Sequence, residues 1–220
     1  MTPIELSILI PSTPDRKEDL QKLLECIDKQ EYVRKVDMYD IDGLKCERYW
    51  DILCPIEVLV FEDAKIMTIG EKRELLYKHA KGTHSIQVDS DDLLSPNAIQ
   101  LILEAIRSNP DVDVISFEEF IDIDGKIMKS NHHGKYIIWE GDGNSLFDDG
   151  YHFHRTPFFK SVIRTELAKK VEIPYIRFGE DNIFADNLLP HIKTETHINQ
   201  ELYKYIHRSS NHNERYGIKD

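Results

Sequence analysis

Three carboxylates fall within four positions in the stretch Ser85-Ile86-Gln87-Val88-Asp89-Ser90-Asp91-Asp92-Leu93-Leu94-Ser95-Pro96. Carboxylates crowded at the end of a short apolar run repel one another, and a divalent cation carrying phosphate makes such crowding tolerable. Asp89 and Asp91 are two apart, so on extended backbone they project to the same side and can share one ion, or divide it with a ribose hydroxyl. Asp92, or Ser95 before Pro96, can instead cap the helix that follows. A second carboxylate pair, Glu180-Asp181, precedes another helical pattern, where the helix dipole alone already favours an acid. Lys72 and Arg73 open a third helix, and one of them can neutralise a diphosphate. Arg16 is a cation with the same potential.

These groups need elements to carry them. Leu6-Ser7-Ile8-Leu9-Ile10 reads as a buried parallel strand stopped by Pro11-Ser12-Thr13-Pro14. Asp15 can cap a helix of roughly 15 residues in which Leu20, Leu23, Leu24 and Ile27 recur at helical spacing. Residues 32 to 54 have a weak pattern and read as an insertion or an irregular connection. Pro55 to Asp63 is a second strand ending in acids, and the opening stretch is a third. Its helix runs from about Pro96 to Asn109-Pro110. Val112 to Phe117 is a fourth strand, and Phe120 to Met128 a hairpin turning at Asp124-Gly125. Strands alternating with helices predict an α/β fold, a Rossmann-like, doubly wound, mostly parallel sheet with helices on both faces. Ligands of such sheets bind beyond the carboxyl ends of the strands, where Pro11 to Thr13, Asp63 and Asp89 to Asp92 lie.

Residues 130 to 157 are richer in His, Gly and acids, and 140 to 144 predict a loop ordered by ligand. A helix near 160 to 170 and a strand over 171 to 176 follow. Thr194 to Ile198 and Leu202 to His207 alternate like two paired strands, a small antiparallel carboxyl-terminal part. The histidines His132-His133 and His152-x-His154 lack the helical spacing of a zinc site. His154 can help to bind an acceptor, and Trp139 can stack on a sugar face.

The chain of 220 residues fits one domain, in two halves, 1–118 with the strand-helix alternation and 119–220 with the more irregular remainder. Lys and Arg number 28 against 40 Asp and Glu, a net charge of -12 that argues against a general nucleic-acid or anionic-membrane surface. The start carries no basic and apolar leader pattern, and no apolar run has membrane-spanning length, so no membrane insertion is expected. Cys26, Cys46 and Cys54 lack metal spacing and read as reduced thiols of a cytoplasmic protein.

Ile8-Leu9-Ile10-Pro11-Ser12-Thr13, then Asp63, Gly70-Glu71-Lys72-Arg73, Ala80-Lys81-Gly82, Val88-Asp89-Ser90-Asp91-Asp92 and Phe178-Gly179-Glu180-Asp181 together resemble the family 2 glycosyltransferases of the GT-A fold, in particular short soluble ones of bacteria and their phages. The resemblance runs from Ile4 to about Ser210. It implies transfer of a sugar from a nucleotide diphosphate sugar, with a UDP-sugar as first expectation, and Mn2+ or Mg2+ as cofactor. Asp89-Ser90-Asp91 corresponds to the family's metal and nucleotide-sugar motif, with Asp91 the ligand and Asp89 its partner. Pro11, Thr13 and Asp63 correspond to the base-binding positions, although the family's usual Asp-Asp-Gly-Ser reads Glu62-Asp63-Ala64-Lys65 here. Glu180-Asp181 corresponds to the catalytic pair, with Asp181 the base, and His207 to a further metal ligand. The acceptor implied is a glycan or other hydroxyl, with modified DNA as an option. Two rivals stand beside this: a haloacid-dehalogenase-like phosphatase using Asp89-x-Asp91, and a sugar-nucleotide or glycan binding module without turnover.

Overall fold

The computed structural model describes residues 4–30, 34–41, 44–50 and 55–209. A single sheet runs through the molecule in the order β2-β3-β4-β1-β5-β10-β7-β11-β6. Its strands are β1 (Leu6–Ser12), β2 (Arg34–Ile41), β3 (Leu44–Trp50), β4 (Pro55–Glu62), β5 (His84–Gln87), β6 (Leu93–Leu94), β7 (Val114–Ile123), β10 (Val162–Arg164) and β11 (Glu195–His207). Two more strands, β8 (Lys126–His132) and β9 (Phe153–Arg155), extend from β7. The helices are α1 (Lys17–Asp28), α2 (Ile69–His79), α3 (Ala98–Ser108), α4 (Thr165–Ala168) and α5 (Glu180–Leu188).

The alternation of β1 and β4 divides the core. Ile8, Ile10, Val58 and Val60 face α1 and α3, through Leu23, Ile27, Ile102 and Ile106. Leu9 and Leu59 face the other way, toward Leu76 and Tyr77 of α2, Leu167 of α4 and Phe184 of α5. Buried on both sides, the central strands carry apolar residues at nearly every position, as parallel strands between helices must. β4, β1 and β5 are parallel, and so are β7 and β11.

Several expectations are corrected. β10 lies between β5 and β7, antiparallel to both, where the sequence suggested only a helix over 160 to 170. That region is one short strand followed by the single turn α4, and 171 to 176 forms no strand. Residues 34 to 50 hold a β-hairpin, β2 and β3, at the edge beyond β4. Its amphipathic signal was weak because an edge hairpin need not bury a continuous face. The two expected carboxyl-terminal strands are one, β11, which runs parallel to β7 with register shifts between Ile198 and Tyr203. Asp15 caps nothing: a 3-10 turn over Pro14–Arg16 precedes α1, and the Asp15 carboxylate takes Lys65 instead. α3 starts at Ala98 from Asn97, with neither Asp92 nor Ser95 as its cap. Cys54 lies outside the described residues, whereas Cys26 is a free thiol.

Turn chemistry holds the remainder in place. Asp124 and Gly125 both have positive φ, 50° and 89°, the backbone of a tight two-residue hairpin turn. Thr68 and Glu71 form a reciprocal capping box at the start of α2. Gly70 must be glycine, because a Cβ there would overlap the Pro174 carbonyl. The cap and this close approach set where Lys72 and Arg73 enter the molecule.

Candidate active site

The carboxyl ends of β1, β5 and β11 open into a cleft of about 1010 Å³. Pro11, Thr13, Lys72, Arg73, Asp89, Ser90, Asp91, Glu180, Asp181 and His207 all line it, so ten of the eleven residues expected at the donor, metal and catalytic-pair positions converge. Asp63 does not line it. Its Oδ2 accepts the backbone N–H groups of Ile66 and Met67 at 2.7 and 2.9 Å, closing its own loop, while Lys72 lies against Oδ1. Burial opposes the Asp63 charge, but Lys72 and these N–H groups outweigh it and hold the carboxyl below its ordinary range.

Lys72 and Arg73 are cations already committed to protein partners. The Lys72 ammonium donates to the Ser12 carbonyl at 3.0 Å as well as pairing with Asp63, which ties the loop after β1 to the loop after β4. Arg73, only 6 % exposed, uses its whole fork: Nε donates to Glu180 Oε1 at 3.1 Å, one terminal nitrogen to Gln87 Oε1 at 3.0 Å, the other to Asp89 Oδ1 at 3.0 Å. Its guanidinium also lies 4.6 Å from the centre of the Phe159 ring. The burial of Glu180 raises its carboxyl pKa, with Arg73 pulling the other way. For Asp89, burial again opposes ionisation, but Arg73, Lys160 and Arg16 outweigh it and the pKa is lowered. Asp91 pairs with Arg16. Asp181, at the first turn of α5, is half-buried, and its Oδ1 accepts only the adjacent Asn182 N–H, at 3.0 Å, among the described hydrogen bonds.

Asp92 holds the cleft together. Its fully buried carboxylate accepts the Tyr203 hydroxyl at 2.6 Å and the Ile206 N–H at 2.9 Å, and Lys160 stands 3.2 Å away. Burial pushes its carboxyl up to about 7, against the pull of Lys160. Tyr203 meanwhile accepts the Asp89 N–H at 3.1 Å, so the acidic stretch after β5 is registered against β11 and the end carrying His207.

Sequence reasoning missed a second layer of the cleft: Lys160, Glu119, Arg155 and Tyr205. Lys160 bridges Asp92 and Glu119, at 3.2 and 3.1 Å, and sits 4.0 Å from the Tyr205 ring centre. No motif announces these residues. Glu119 falls between the strand read over Val112 to Phe117 and the hairpin read from Phe120, and nothing local marks it for the cleft. Burial disfavours the Glu119 charge, but Lys160 and His132 outweigh it and hold the carboxyl down at about 2. A carboxyl depressed from its unfolded value of about 4.3 adds stability above that pH and loses it as pH falls toward 2. Glu119→Gln is therefore expected to lose less unfolding free energy than the wild type between about pH 4.5 and about pH 2.5. Denaturant titrations across that window check it, and parallel curves would refute the network.

Trp139, read as a surface for a sugar face, and His154, read as an acceptor contact, do not line the cleft, and both rings are engaged by protein groups. Trp139 donates to Thr156 Oγ1 at 2.9 Å, and the Arg155 guanidinium covers its ring at 4.3 Å. His154 is sandwiched between Phe147 and Tyr136, at 4.1 and 4.3 Å, and bonded to Asp149. Both build the wall that carries Arg155.

Nine Lys and Arg line the cleft against eight Asp and Glu, in a chain of net charge -12, so this surface suits an anionic ligand far better than the rest. For a divalent cation, Asp89 and Asp91 are the oxygen donors expected of a hard ion, and His207 lines the same cleft. The chemistry fits, yet these three do not form a ready-made triad, since Arg16 and Arg73 hold the two carboxylates.

No known family profile matches the sequence, and neither does any curated protein. Solved structures do resemble it. TarS of S. aureus superposes over 92% of this chain and 36% of its own, with a TM-score of 0.55 and 16% identity. Its 1-349 portion solved with UDP covers 91% of this chain and 60% of that one, at a TM-score of 0.56 and 16% identity. The same portion solved with UDP-GlcNAc gives 0.55, 14% identity, and 91% and 58% coverage. The chain thus spans about a third of the full TarS chain and under two thirds of its 1-349 portion. No helix among the described residues is long and apolar enough to cross a membrane. What the chain shares with these structures is a GT-A-like α/β fold, a mostly parallel central sheet between helices.

Proposed function

We propose that the protein is a metal-dependent, inverting glycosyltransferase that moves a sugar from a nucleotide diphosphate sugar, a UDP-sugar in the first instance, to an acceptor hydroxyl. The observation that carries the reading is Arg73, one buried guanidinium joining Asp89 of the Asp-x-Asp stretch to Glu180 of the second carboxylate pair. Two acidic motifs far apart in sequence thereby belong to one cleft. The GT-A-like fold and the UDP and UDP-GlcNAc complexes of TarS support a nucleotide-sugar donor, and the local excess of cations supports an anionic one.

Pro11 and Thr13 form the wall for the base, and Asp63 shapes that wall through its loop rather than by contact. Asp91, with Asp89 beside it and His207 from the end of β11, would hold Mn2+ or Mg2+, which when bound neutralises the diphosphate leaving group. Asp181 takes the proton of the acceptor hydroxyl while its oxygen bonds to the anomeric carbon. The bond from that carbon to the phosphate oxygen breaks, and its electron pair leaves with the diphosphate. One displacement from the opposite face inverts the centre, through an oxocarbenium-like state. Glu180, Lys72 and Arg73 act as positioning residues.

Nothing favours the phosphatase reading: it wants its nucleophilic Asp on the first strand, where β1 ends in Pro11-Ser12, and the pair here follows β5. Melting curves with a panel of nucleotide sugars, with and without Mn2+, test the proposal. A donor that needs Mn2+ should raise Tm, since a ligand binding only the native state stabilises it. Asp91→Ala should abolish that rise. The proposal falls if no nucleotide sugar shifts Tm, or if a bound donor is neither transferred nor hydrolysed, which is the behaviour of a binding module.

A further inference from the structure

A second group of chemically capable side chains lies away from the cleft. Glu195 and His197 project to the same side of β11, in the half that pairs with Val114 and Ser116 at the start of β7, and His133 reaches them from the residue after β8. None of the three lines the cleft. We propose that His133, Glu195 and His197 bind one divalent transition-metal ion, of which Zn2+ is the representative, and that the ion staples the segment after β8 to β11. The proposal is independent of glycosyl transfer.

The first argument is proximity. One ligating atom from each residue lies within 4.8 Å of the others, in the only such group among the described residues. Ligands on a tetrahedral zinc sit about 3.3 Å apart, so a small inward movement completes the set. The imidazole centroids are 4.9 Å apart, close to the roughly 5 Å of two histidines sharing one ion.

The second is tautomer chemistry. The Ser116 hydroxyl has one proton and two neighbours, Glu195 Oε1 at 2.5 Å and His197 Nδ1 at 2.9 Å. A carboxylate can only accept, so Ser116 donates to Glu195 and His197 Nδ1–H donates to Ser116. The lone pair of the neutral ring is then on Nε2, which is buried and has no hydrogen-bond partner. A ring fixed through one nitrogen by an oxygen partner, with the other left as a bare donor, is the second-shell pattern of a ligating histidine.

The third is an unresolved pairing at His133. Its Nδ1 accepts the Lys135 N–H at 3.1 Å while facing Glu195 Oε2 at 2.9 Å. Two electron-rich atoms at that distance need a positive species between them, a proton or a metal ion. Glu195 is itself aimed by the Gly134 N–H at 2.9 Å, and a Cβ on Gly134 would come within 3.0 Å of Oε2. Two imidazoles and one carboxylate select a transition ion over Mg2+ or Ca2+, which prefer all-oxygen sets.

The test titrates chelator-stripped protein, with Mg2+ in excess to fill the cation site of the cleft, with ZnCl2 by calorimetry and by melting curve, and with CoCl2 by absorbance. One saturable equivalent is expected, with a rise in Tm and the visible bands of tetrahedral cobalt. Glu195→Gln and His197→Ala should each abolish all three signals, His191→Ala, at an exposed histidine outside the group, should leave them unchanged, and Ser116→Ala should weaken the metal by about tenfold or more. Circular dichroism of the metal-free variants shows whether each is folded, and the near-isosteric Glu195→Gln decides if His197→Ala is not. No saturable zinc in the wild type overturns the proposal. Zinc retained by Glu195→Gln, or lost in His191→Ala, overturns it equally.

Discussion

Asp181→Asn is expected to reduce sugar transfer by about 10²–10⁴-fold, the usual contribution of a positioned general base. Asparagine keeps the size and the acceptor oxygen of the side chain, so the bond from the Asn182 N–H and the first turn of α5 survive. Only the ability to take a proton is lost. In the proposed arrangement the donor lies on the Asp89-Ser90-Asp91 side, so its KM should stay within a few-fold and the loss should appear in kcat. Until an acceptor is known, hydrolysis of the donor by water reports the same step. Rates within two-fold of the wild type would remove Asp181 from the chemistry. Glu180→Gln should behave differently, because the Glu180 carboxylate, buried in the cleft wall, is held by Arg73. Its effect belongs to the alignment of α5.

The second large effect is on stability. Arg73→Met should lower the unfolding free energy by about 3–5 kcal/mol, since removing one partner of a buried ion pair leaves uncompensated charge. Here two carboxylates, Asp89 and Glu180, and the Gln87 amide lose their donor together. Arg73→Lys should rescue little, because one ammonium cannot reproduce a planar fork spread over three acceptors. The pH dependence has a definite sign. Without the guanidinium the main group opposing the burial of Glu180 is gone, so its carboxyl, already raised, stays above its unfolded value, favours the fold below that value and loses that contribution as pH rises. The variant's deficit should therefore be smaller at pH 5 than at pH 8, measured by urea titration. A deficit below about 1 kcal/mol would mean that the carboxylates find other partners.

Much of the site was legible as local chemistry. Pro11 to Thr13 and Asp89 to Asp91 were visible because each terminates an apolar run, and such ends meet on one side of a parallel sheet, while Glu180-Asp181 was visible as an acidic pair opening a helix. What each residue touches was not visible. Lys72 and Arg73 read as free cations for phosphate, and both are spent on carboxylates that come from other loops. Asp63 read as a ligand contact and became a turn former. Lys160 and Glu119 carried no signal, since a lone cation and a strand acid acquire meaning only when folding makes them neighbours.

The histidines make the same point. The spacing of His132-His133 offered no metal site, and the two point to different partners: His132 to Glu119 beside the cleft, His133 to Glu195 on β11. Adjacent residues on extended backbone face opposite sides, so a partner for His133 had to come from a distant segment.

By itself, then, the sequence determined the class of fold and the location of the acidic motifs, because burial on both faces, strand-end breakers and helical periodicity are local properties. Only the tertiary structure decided the order of the strands, with β10 inserted between β5 and β7, and the single long β11. Pairing depends on contacts between segments far apart in the chain, which no local pattern encodes. The same holds for Arg73, whose three partners come from β5, the loop after it and α5, and for the His133, Glu195 and His197 group, assembled across β8 and β11.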